Sequence, residues 1–382
     1  MATATEAPYE AASEPEANKL FRMVMKHKGS DLHLKVGLPP AMRLQGVLRS
    51  MQLPVLSAQD MERLMFPLLT SRHKQILEET GGIDFAHIIF DGIDETRFRV
   101  NLFRQRGRLS LVARRVNTSI PNFEGLGLPP VMAEITQYDQ GIILLAGVTG
   151  SGKSTTIASM LQYINERERM HILTIEDPIE FTFKDDKSII NQREVGIDVL
   201  DWDTALKHAV RQDPDIILVG EMRDRFTFSA AMHAAETGHL VFGTIHASSA
   251  PSTISRLLDL FPRDMHSALR QSLAFNLKAV VAQKLLPTTK EWAAKGVGRV
   301  PTVEIMRSNP TVRKLILTEE DNKLGDAIRI GKEEGMQDFT ESLRRLCVDE
   351  KIERATAFEV APSVEILKMA LKGITIAQPG IL

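Results

Sequence analysis

The stretch with the clearest chemical meaning lies near the middle of the 382-residue chain and reads Gly147-Val148-Thr149-Gly150-Ser151-Gly152-Lys153-Ser154-Thr155. It matches the phosphate-binding loop pattern GxxxxGK[ST] in full. The glycines let backbone N–H groups curl around phosphate oxygens, and the start of the following helix adds favourable partial charge. In this pattern Lys153 reaches the β- and γ-phosphates, and the hydroxyl of Ser154 ligates Mg²⁺. The sequence therefore predicts a site for Mg²⁺ with ATP as substrate.

Two further apolar segments end in carboxylates that could complete this site. Glu176 follows the strand-like segment 172–175, and Glu221 follows the strand-like segment 216–219. The carboxyl ends of parallel strands meet at the edge of a sheet where ligands bind, so both acids are expected near the γ-phosphate. Our hypothesis places Mg²⁺ on Ser154 and, through water, on Glu221, while Glu176 orients or deprotonates the attacking water. The residue types alone leave open which of the two glutamates is the general base.

Two histidines flank the apolar segment 240–244. His239 precedes it and His246 follows it. A histidine beside the γ-phosphate can sense it by donating a hydrogen bond, whereas an isolated histidine is more often structural. We expect a nucleotide-linked role for His246 and, slightly less strongly, for His239.

A group of arginines falls in the first third of the chain, and it includes Arg97, Arg99 and Arg114. Arg97 and Arg99 share one face of a predicted strand because side chains alternate along a strand. One interpretation is a solvated sheet face. The other, which we favour, is contact with a nucleotide or a neighbouring subunit, as arginine fingers make.

The elements that must position these groups can also be predicted. Four short apolar segments alternate with helical patterns, which indicates an α/β fold with a mostly parallel sheet covered on both faces. We expect these strands at Ile142–Ala146, Ile172–Ile175, Ile216–Val219 and Leu240–Thr244.

The rest of the chain divides by composition. Residues 1–17 are polar and predict a disordered tail. Residues 18–118 predict a small α+β domain with an antiparallel meander, and residues 119–130, rich in Pro and Gly, predict a linker with a hinge. Residues 131–382 form the phosphate-loop domain, with a C-terminal helical region from about 302.

Composition excludes several classes of protein. A net charge of −2 gives no electrostatic reason to expect nucleic acid as a partner, and the single cysteine excludes an internal disulfide. No segment reaches the ~18–20 apolar residues that a membrane span needs, and no secretory signal opens the chain. We therefore expect a cytoplasmic protein.

With these motifs in view, the chain resembles the type IV pilus retraction ATPases, the PilT/PilU group of the secretion ATPase superfamily. The matching motifs occur in the family's order from the first domain to the phosphate-loop domain, and they include Ser30-Asp-Leu-His-Leu, Arg97-Phe-Arg-Val-Asn101, Thr174-Ile-Glu-Asp-Pro-Ile-Glu-Phe181, Ala235-Glu-Thr-Gly-His-Leu240 and Gly243-Thr-Ile-His-Ala247.

The resemblance implies a PAS-like N-terminal domain, a RecA-like P-loop core and a homohexameric ring that uses ATP to power or assist pilus retraction (twitching motility). It also implies that Glu176 belongs to the family's Asp box, Glu221 to its Walker B motif, and His239 and His246 to its His box. Arginines of the N-terminal domain close over the phosphates in such proteins, which favours Arg97, Arg99 and Arg114. The implied partners are an inner-membrane pilus platform protein and a paralogous motor ATPase, which would place the protein at the inner membrane through its partners.

The chain departs from the family pattern at two places. Arg225-Phe226-Thr227 stands where an acidic residue is usual, and Ala327-Ile-Arg-Ile-Gly-Lys332 carries Ile330 where the retraction motors have Glu. Two alternatives stay open at this stage. One is an extension or secretion assembly ATPase, which typically carries four cysteines, and the other is an interaction module gated by bound nucleotide.

Overall fold

The computed structural model describes residues 14–91 and 94–374, so the predicted tail falls largely outside the described residues. The chain divides into two compact units, one ending at Thr118 and the other beginning at Ser119. Among the described residues, no helix has both the length and the apolar character needed to cross a bilayer.

The first unit is an antiparallel sheet with helices packed against it. Its strand order is β3-β2-β1-β6-β5-β4. The strands and helices are β1 Asp31–Lys35, β2 Ala41–Leu44, β3 Val47–Ser50, β4 Gly82–Asp91, β5 Asp94–Gln105, β6 Arg108–Arg115, α1 Asn18–Lys26, α2 Ala58–Met65 and α3 Ser71–Thr80.

Local sequence explains the helices of this unit. In α1 the buried Leu20, Phe21 and Val24 recur at helical spacing and enter the core beneath the sheet. At the start of α2, Ser57 and Asp60 form a reciprocal capping box, which satisfies two N–H groups that the helix leaves unpaired.

The second unit is a three-layer α/β structure, which confirms the predicted fold class. Its strands are β7 Gly141–Ala146, β8 His171–Glu176, β9 Ile189–Glu194, β10 Ile216–Val219, β11 Leu240–Ile245, β12 Leu277–Pro287 and β13 Arg299–Arg307. They form one sheet in the order β13-β12-β7-β11-β10-β8-β9, and every neighbouring pair is parallel except β12 with β13.

Helices cover this sheet and extend beyond it. They are α4 Phe123–Leu126, α5 Val131–Ile135, α6 Lys153–Asn165, α7 Trp202–Ala209, α8 Arg225–Glu236, α9 Ala250–Leu258, α10 His266–Asn276, α11 Lys290–Ala294, α12 Pro310–Leu317, α13 Leu324–Ile330, α14 Phe339–Val348, α15 Arg354–Val360 and α16 Val364–Leu371. All residues of β7, β10 and β11 are buried, because helices pack on both faces of the central strands.

Two sequence-based boundaries look different in the structure. The predicted start of the C-terminal helices, about 302, lies inside strand β13, and helix resumes only at Pro310. The apolar residues of 299–307 lie buried beside β12, so this segment extends the sheet instead of beginning the helical region. Within the predicted linker, residues 123–126 form α4, and Phe123 and Leu126 pack on the core of the second unit.

Candidate active site

Because the central strands of the second unit are parallel, all their carboxyl ends lie on one side of the sheet and all their amino ends on the other. We call the side where β7, β8, β10 and β11 end the carboxyl edge, and the side where they begin the amino edge. The phosphate-loop segment leaves β7 after Ala146 and enters α6 at Lys153, so it lies at the carboxyl edge. This is the edge at which open α/β sheets bind ligands.

The loop adopts the conformation that its glycines allow. Gly147, Gly150 and Gly152 all have positive φ. Val148, Thr149 and Gly150 are exposed, whereas Ser151 is buried. The loop delivers the N–H groups at the start of α6 to its surface, where helix geometry leaves them without partners in the helix and available to an anion.

Lys153 is held against this loop. Its Nζ donates to the backbone oxygens of Gly147 at 2.9 Å and Val148 at 3.1 Å. Burial lowers the pKa of the Lys153 ammonium, while the nearby charge of Glu221 acts to raise it. The Glu221 carboxylate is therefore an electrostatic neighbour of Lys153, as the sequence predicted for the acid after β10.

The Glu221 carboxylate is held by contacts with the side chains of Arg223 and His246. Arg223 Nη2 donates to Glu221 Oε2 at 2.6 Å, and His246 Nε2 lies 2.8 Å from Glu221 Oε1. The hydrogen bond from Arg223, the charge of Arg223 and the hydrogen bond with His246 together hold the pKa of Glu221 below its usual range, against a smaller opposing effect of burial. Glu221 is thus an ionised carboxylate that joins the end of β10 to the end of β11.

Glu176, at the end of β8, lies in an environment that raises its pKa, whereas the surroundings of Glu221 lower the pKa of that carboxylate. It is buried, and its Oε1 accepts from Thr174 Oγ1 at 2.8 Å and Gln192 Nε2 at 3.3 Å. Burial raises the pKa of Glu176 to about 7, and these hydrogen bonds only partly offset that rise. A carboxyl group with a pKa near neutrality can both accept and release a proton under ordinary conditions.

A small cavity lies between Glu176 and the start of α6. Its volume is about 30 Å³ and its lining includes Ser154, Glu176, Gly220 and Thr244. Thr244 Oγ1 donates to Gly220 O at 2.6 Å, which keeps the ends of β10 and β11 together beside it. A cavity of this size accommodates about one water molecule, so the ends of three strands and the first turn of α6 converge on a water-sized space.

The two predicted histidines lie at different edges. His246 follows β11 at the carboxyl edge, whereas His239 precedes β11 and contacts Ala234 O at 2.9 Å and Thr237 Oγ1 at 3.3 Å through Nδ1. The six residues of β11, Leu240–Ile245, separate the two, which corresponds to roughly 20 Å. Because the two ends of one strand cannot reach the same edge, His239 does not join the Glu221 cluster within this chain, and the predicted nucleotide-linked role of His239 stays a prediction.

The predicted arginines form a separate cluster in the first unit. Arg99 and Arg114 are directly opposite each other on β5 and β6, and Arg97 shares their face by strand alternation. Arg114 Nε donates to Asp31 Oδ1 at 3.0 Å. Burial acts to raise the pKa of Asp31, but hydrogen bonds from Ser30 and Arg114 hold it below its usual range. One ionised acid therefore orders a face that is rich in arginine.

The donor set at the carboxyl edge fits Mg²⁺. Ser154 supplies an exposed hydroxyl and Glu221 an ionised carboxylate, and Mg²⁺ prefers oxygen ligands, of which proteins usually give only one or two beside substrate phosphates. Within the described part of the chain there is no group of three or more His, Cys, Asp or Glu side chains that could form an all-protein metal cage.

Sequence reasoning missed several members of this site. Arg223, Gln192 and Thr174 were not singled out, although each holds a catalytic candidate by a hydrogen bond. A weak signal existed for Arg223 and Thr174, since each lies two residues from its glutamate and so can share its side of an extended segment. Gln192 lies on β9, and only the pairing of β9 with β8 brings it to Glu176.

The fold and the site together define a P-loop ATPase. The family model described as "Type II/IV secretion system protein" matches residues 10–348. The chain belongs to this family, and it is an ATPase of that kind.

Relatives and solved structures agree with this assignment. The chain is 40% identical to the "Type IV pilus retractation ATPase PilT" of Pseudomonas aeruginosa over 91% of its own length and 98% of the relative. It is 36% identical to the "Type IV pilus ATPase PilU" of the same organism over 94% and 91%, respectively. The crystal structure of the pilus retraction motor PilT with bound ADP superposes with a TM-score of 0.82, at 40% identity, over 92% of this chain and 98% of that one.

Proposed function

We propose that this protein is a Mg-ATP-driven motor of the type IV pilus machinery that powers or assists pilus retraction. Its similarity to PilT and PilU extends over nearly the whole length of those proteins, so it covers both units and not only the nucleotide-binding core. The observation that carries the chemical part of the proposal is the His246–Glu221 contact of 2.8 Å beside Lys153, because it assembles an ionised carboxylate next to a phosphate-binding loop.

In this proposal each group of the carboxyl edge has one task. Lys153 and the N–H groups of residues 147–155 neutralise the phosphate charge. Ser154 and, through water, Glu221 would hold Mg²⁺, which would polarise the phosphate oxygens. Glu176 accepts the proton of the attacking water, a role suited to a carboxyl group whose burial raises its pKa to about 7. His246 keeps Glu221 in position and can donate to the γ-phosphate.

The arginines of the first unit complete the site in this scheme. Arg97, Arg99 and Arg114 share a sheet face whose buried acid, Asp31, already pairs with Arg114 and lies within 3.5 Å of Arg43. On that face Arg43, Arg99 and Arg114 carry three positive charges beside the single negative charge of Asp31, so a phosphate chain is a suitable counter-charge. Closure of the face over the phosphates about the linker 119–130 would link hydrolysis to movement of the first unit.

The assembly proposed for this motor is a homohexameric ring on the cytoplasmic side of the inner membrane. It would act there on a pilus platform protein, alone or with a paralogous motor of the PilU kind. The support for this part is resemblance, since the relatives are named as pilus ATPases.

Complementation tests the biological function. The full chain, its Glu221→Gln variant and the matched surface variant Glu236→Gln would be expressed in a piliated bacterium that lacks its own retraction ATPase. We expect the wild type and Glu236→Gln to restore retraction of labelled pili and twitching, and Glu221→Gln to restore neither. If the wild-type chain hydrolyses ATP in that host but leaves pilus length and retraction unchanged, even beside a co-expressed retraction motor, the pilus assignment is wrong.

A further inference from the structure

A buried glutamine on a strand beside the phosphate loop emerges as a further functional residue. Gln283 lies on β12, and its exposed fraction is 3%. The last paired residues of β12 and β7 are Ala282 and Ala146, so Gln283 is the first residue of β12 to run beside the loop instead of beside the strand. Burying a primary amide is costly unless its donor and acceptor are both used.

The side chain of Gln283 uses both. Its Nε2 donates to the backbone oxygen of Ser151 at 2.8 Å, and its Oε1 accepts from Thr156 Oγ1 at 2.8 Å. Ser151 belongs to the loop and Thr156 to the first turns of α6, and both are buried. The amide therefore connects the loop to the helix that follows it from a strand more than 120 residues away in sequence.

The glycines of the loop leave room for this contact. A Cβ atom on Gly152 would lie 2.6 Å from Gln283 Nε2, and one on Gly147 would lie 2.5 Å from the backbone oxygen of Gln283. Both distances are shorter than any tolerable carbon contact. The backbone of β12 thus requires glycine at position 147, and a side chain at position 152 would displace the Gln283 amide from its contact. Both glycines also have positive φ angles.

The bond to Ser151 also sets the direction of a phosphate donor. In a trans peptide the C=O and N–H groups point in opposite directions. With the Ser151 carbonyl turned to Gln283, the N–H of Gly152 in the same peptide unit points away from β12. In the phosphate-loop pattern the N–H groups around this glycine are the ones that contact phosphate.

We propose that Gln283 is a positioning residue for nucleotide binding, which fixes the Ser151–Gly152 peptide so that its N–H is presented to the phosphates before ATP arrives. This inference rests on the nucleotide site proposed above. It gives Gln283 no contact with substrate and no part in proton transfer. Its effect is preorganisation, which improves affinity by reducing the ordering that binding would otherwise require.

The test is the affinity for a fluorescent ADP analogue with Mg²⁺, measured on the full-length protein. We expect Gln283→Leu to raise the Kd at least about tenfold, since it leaves the Ser151 carbonyl and the Thr156 hydroxyl without their partner. Gln283→Glu keeps the acceptor for Thr156 but sets a carboxylate against the Ser151 carbonyl, so it should weaken binding by a similar factor. Thr156→Val removes only one of the two bonds, and we expect a smaller increase, about threefold.

Gln337 offers a matched control. It too is a buried glutamine of the second unit, and its Nε2 donates to the Val303 oxygen at 3.0 Å, while its Oε1 accepts from Arg345. Gln337→Leu should lower the unfolding temperature without nucleotide but change the Kd less than twofold. A purely structural role for Gln283 would make the two leucine variants behave alike.

The outcomes are distinguishable. Wild-type affinity in folded Gln283→Leu would overturn this inference and leave the proposed nucleotide site intact, and if that variant does not fold, wild-type affinity in Gln283→Glu does the same. No binding by the wild-type protein would overturn the nucleotide site and the inference with it. A tenfold weaker Kd in Gln283→Leu together with a normal Kd in Gln337→Leu supports it.

Discussion

The two edges of the seven-stranded sheet differ in the way their polar groups are satisfied. At the carboxyl edge, side chains hold one another: Glu221 is held by Arg223 and His246, and Glu176 by Thr174 and Gln192. Glu176 also lines a cavity of about 30 Å³.

The amino edge encloses a much larger cavity, of about 450 Å³, lined by residues that include Tyr138, Tyr163, Arg167, Asp215 and His239. At the amino edge, polar side chains form hydrogen bonds with backbone groups or with exposed side chains. His239 bonds to Ala234 O, and Asp215 accepts from the backbone N–H of His171. We assign the proposed chemistry to the carboxyl edge and not to the larger cavity. At the carboxyl edge the pKa of Glu176 is raised and that of Glu221 is lowered, and acid–base chemistry requires such opposed environments.

The largest expected effect comes from removing the loop cation. Lys153→Ala should lower ATP turnover about 10³-fold, since it deletes the charge that faces the β- and γ-phosphates. Lys284 is a suitable control, because it is a half-buried lysine of the same unit that bonds to Val360 O and whose pKa is also lowered by burial. Equal turnover loss in Lys153→Ala and Lys284→Ala, measured by phosphate release, would contradict a special role for the carboxyl edge.

The next effect concerns the buried carboxyl at the same edge. Burial raises the pKa of Glu176 to about 7, above its value in the unfolded chain, so the charged form is disfavoured in the folded state. Stability should therefore fall as pH rises from about 5 to about 8, by on the order of 2 kcal/mol from this group. Glu176→Gln retains an acceptor for Thr174 and should lack this part of the pH dependence.

Urea unfolding of both proteins at several pH values, without nucleotide or Mg²⁺, checks this prediction. The free energy of unfolding of wild type, compared with that of Glu176→Gln, should decrease toward alkaline pH. A constant difference between the two proteins from pH 5 to pH 8 would mean that Glu176 is ionised in the folded protein throughout that range, and its assignment as the base would lose its main support.

The smallest expected effect separates the two histidines. His246→Ala should reduce turnover about tenfold, since Glu221 loses the partner on Oε1 that orients it. His239 lies at the amino edge, so His239→Ala should leave the Kd for Mg-ADP unchanged. The two variants are matched in chemistry and differ in their position on β11. Weaker nucleotide binding in His239→Ala than in His246→Ala would break the comparison between the edges.

The core of this fold could be predicted from sequence because local and global signals agree there. The four apolar segments that alternate with helical patterns became β7, β8, β10 and β11, since buried parallel strands need continuous apolar runs. Strands β9, β12 and β13 were not predicted. Strand β9 is mostly polar, and polar residues interrupt the apolar residues of β12 and β13, so these strands lack the continuous apolar run of the central strands. Their pairing also depends on contacts distant in sequence.

The candidate site, like the fold, could be predicted from the sequence only in part. The motif places Lys153 and Ser154 directly, and the strand-end rule brings Glu176 and Glu221 to one edge. The sequence places His239 before β11 and His246 after it, but the motif that contains both does not show that the two lie at opposite edges of the sheet. The contacts of Gln283 and Gln192 could not be predicted, since a glutamine has no distinctive spacing and only the completed sheet brings it to its partners.

The central claim is that the carboxyl edge hydrolyses Mg-ATP with Glu221 as an essential carboxylate, in a site completed by assembly. The most direct test is phosphate release per protomer as a function of protein concentration, for wild type and Glu221→Gln. We predict that wild-type activity per protomer rises with concentration to a plateau and that Glu221→Gln falls at least about 10²-fold at every concentration. If Glu221→Gln hydrolyses ATP as fast as the wild type, the role assigned to Glu221 is wrong. If the wild type releases no phosphate at any concentration, the ATPase proposal itself is contradicted.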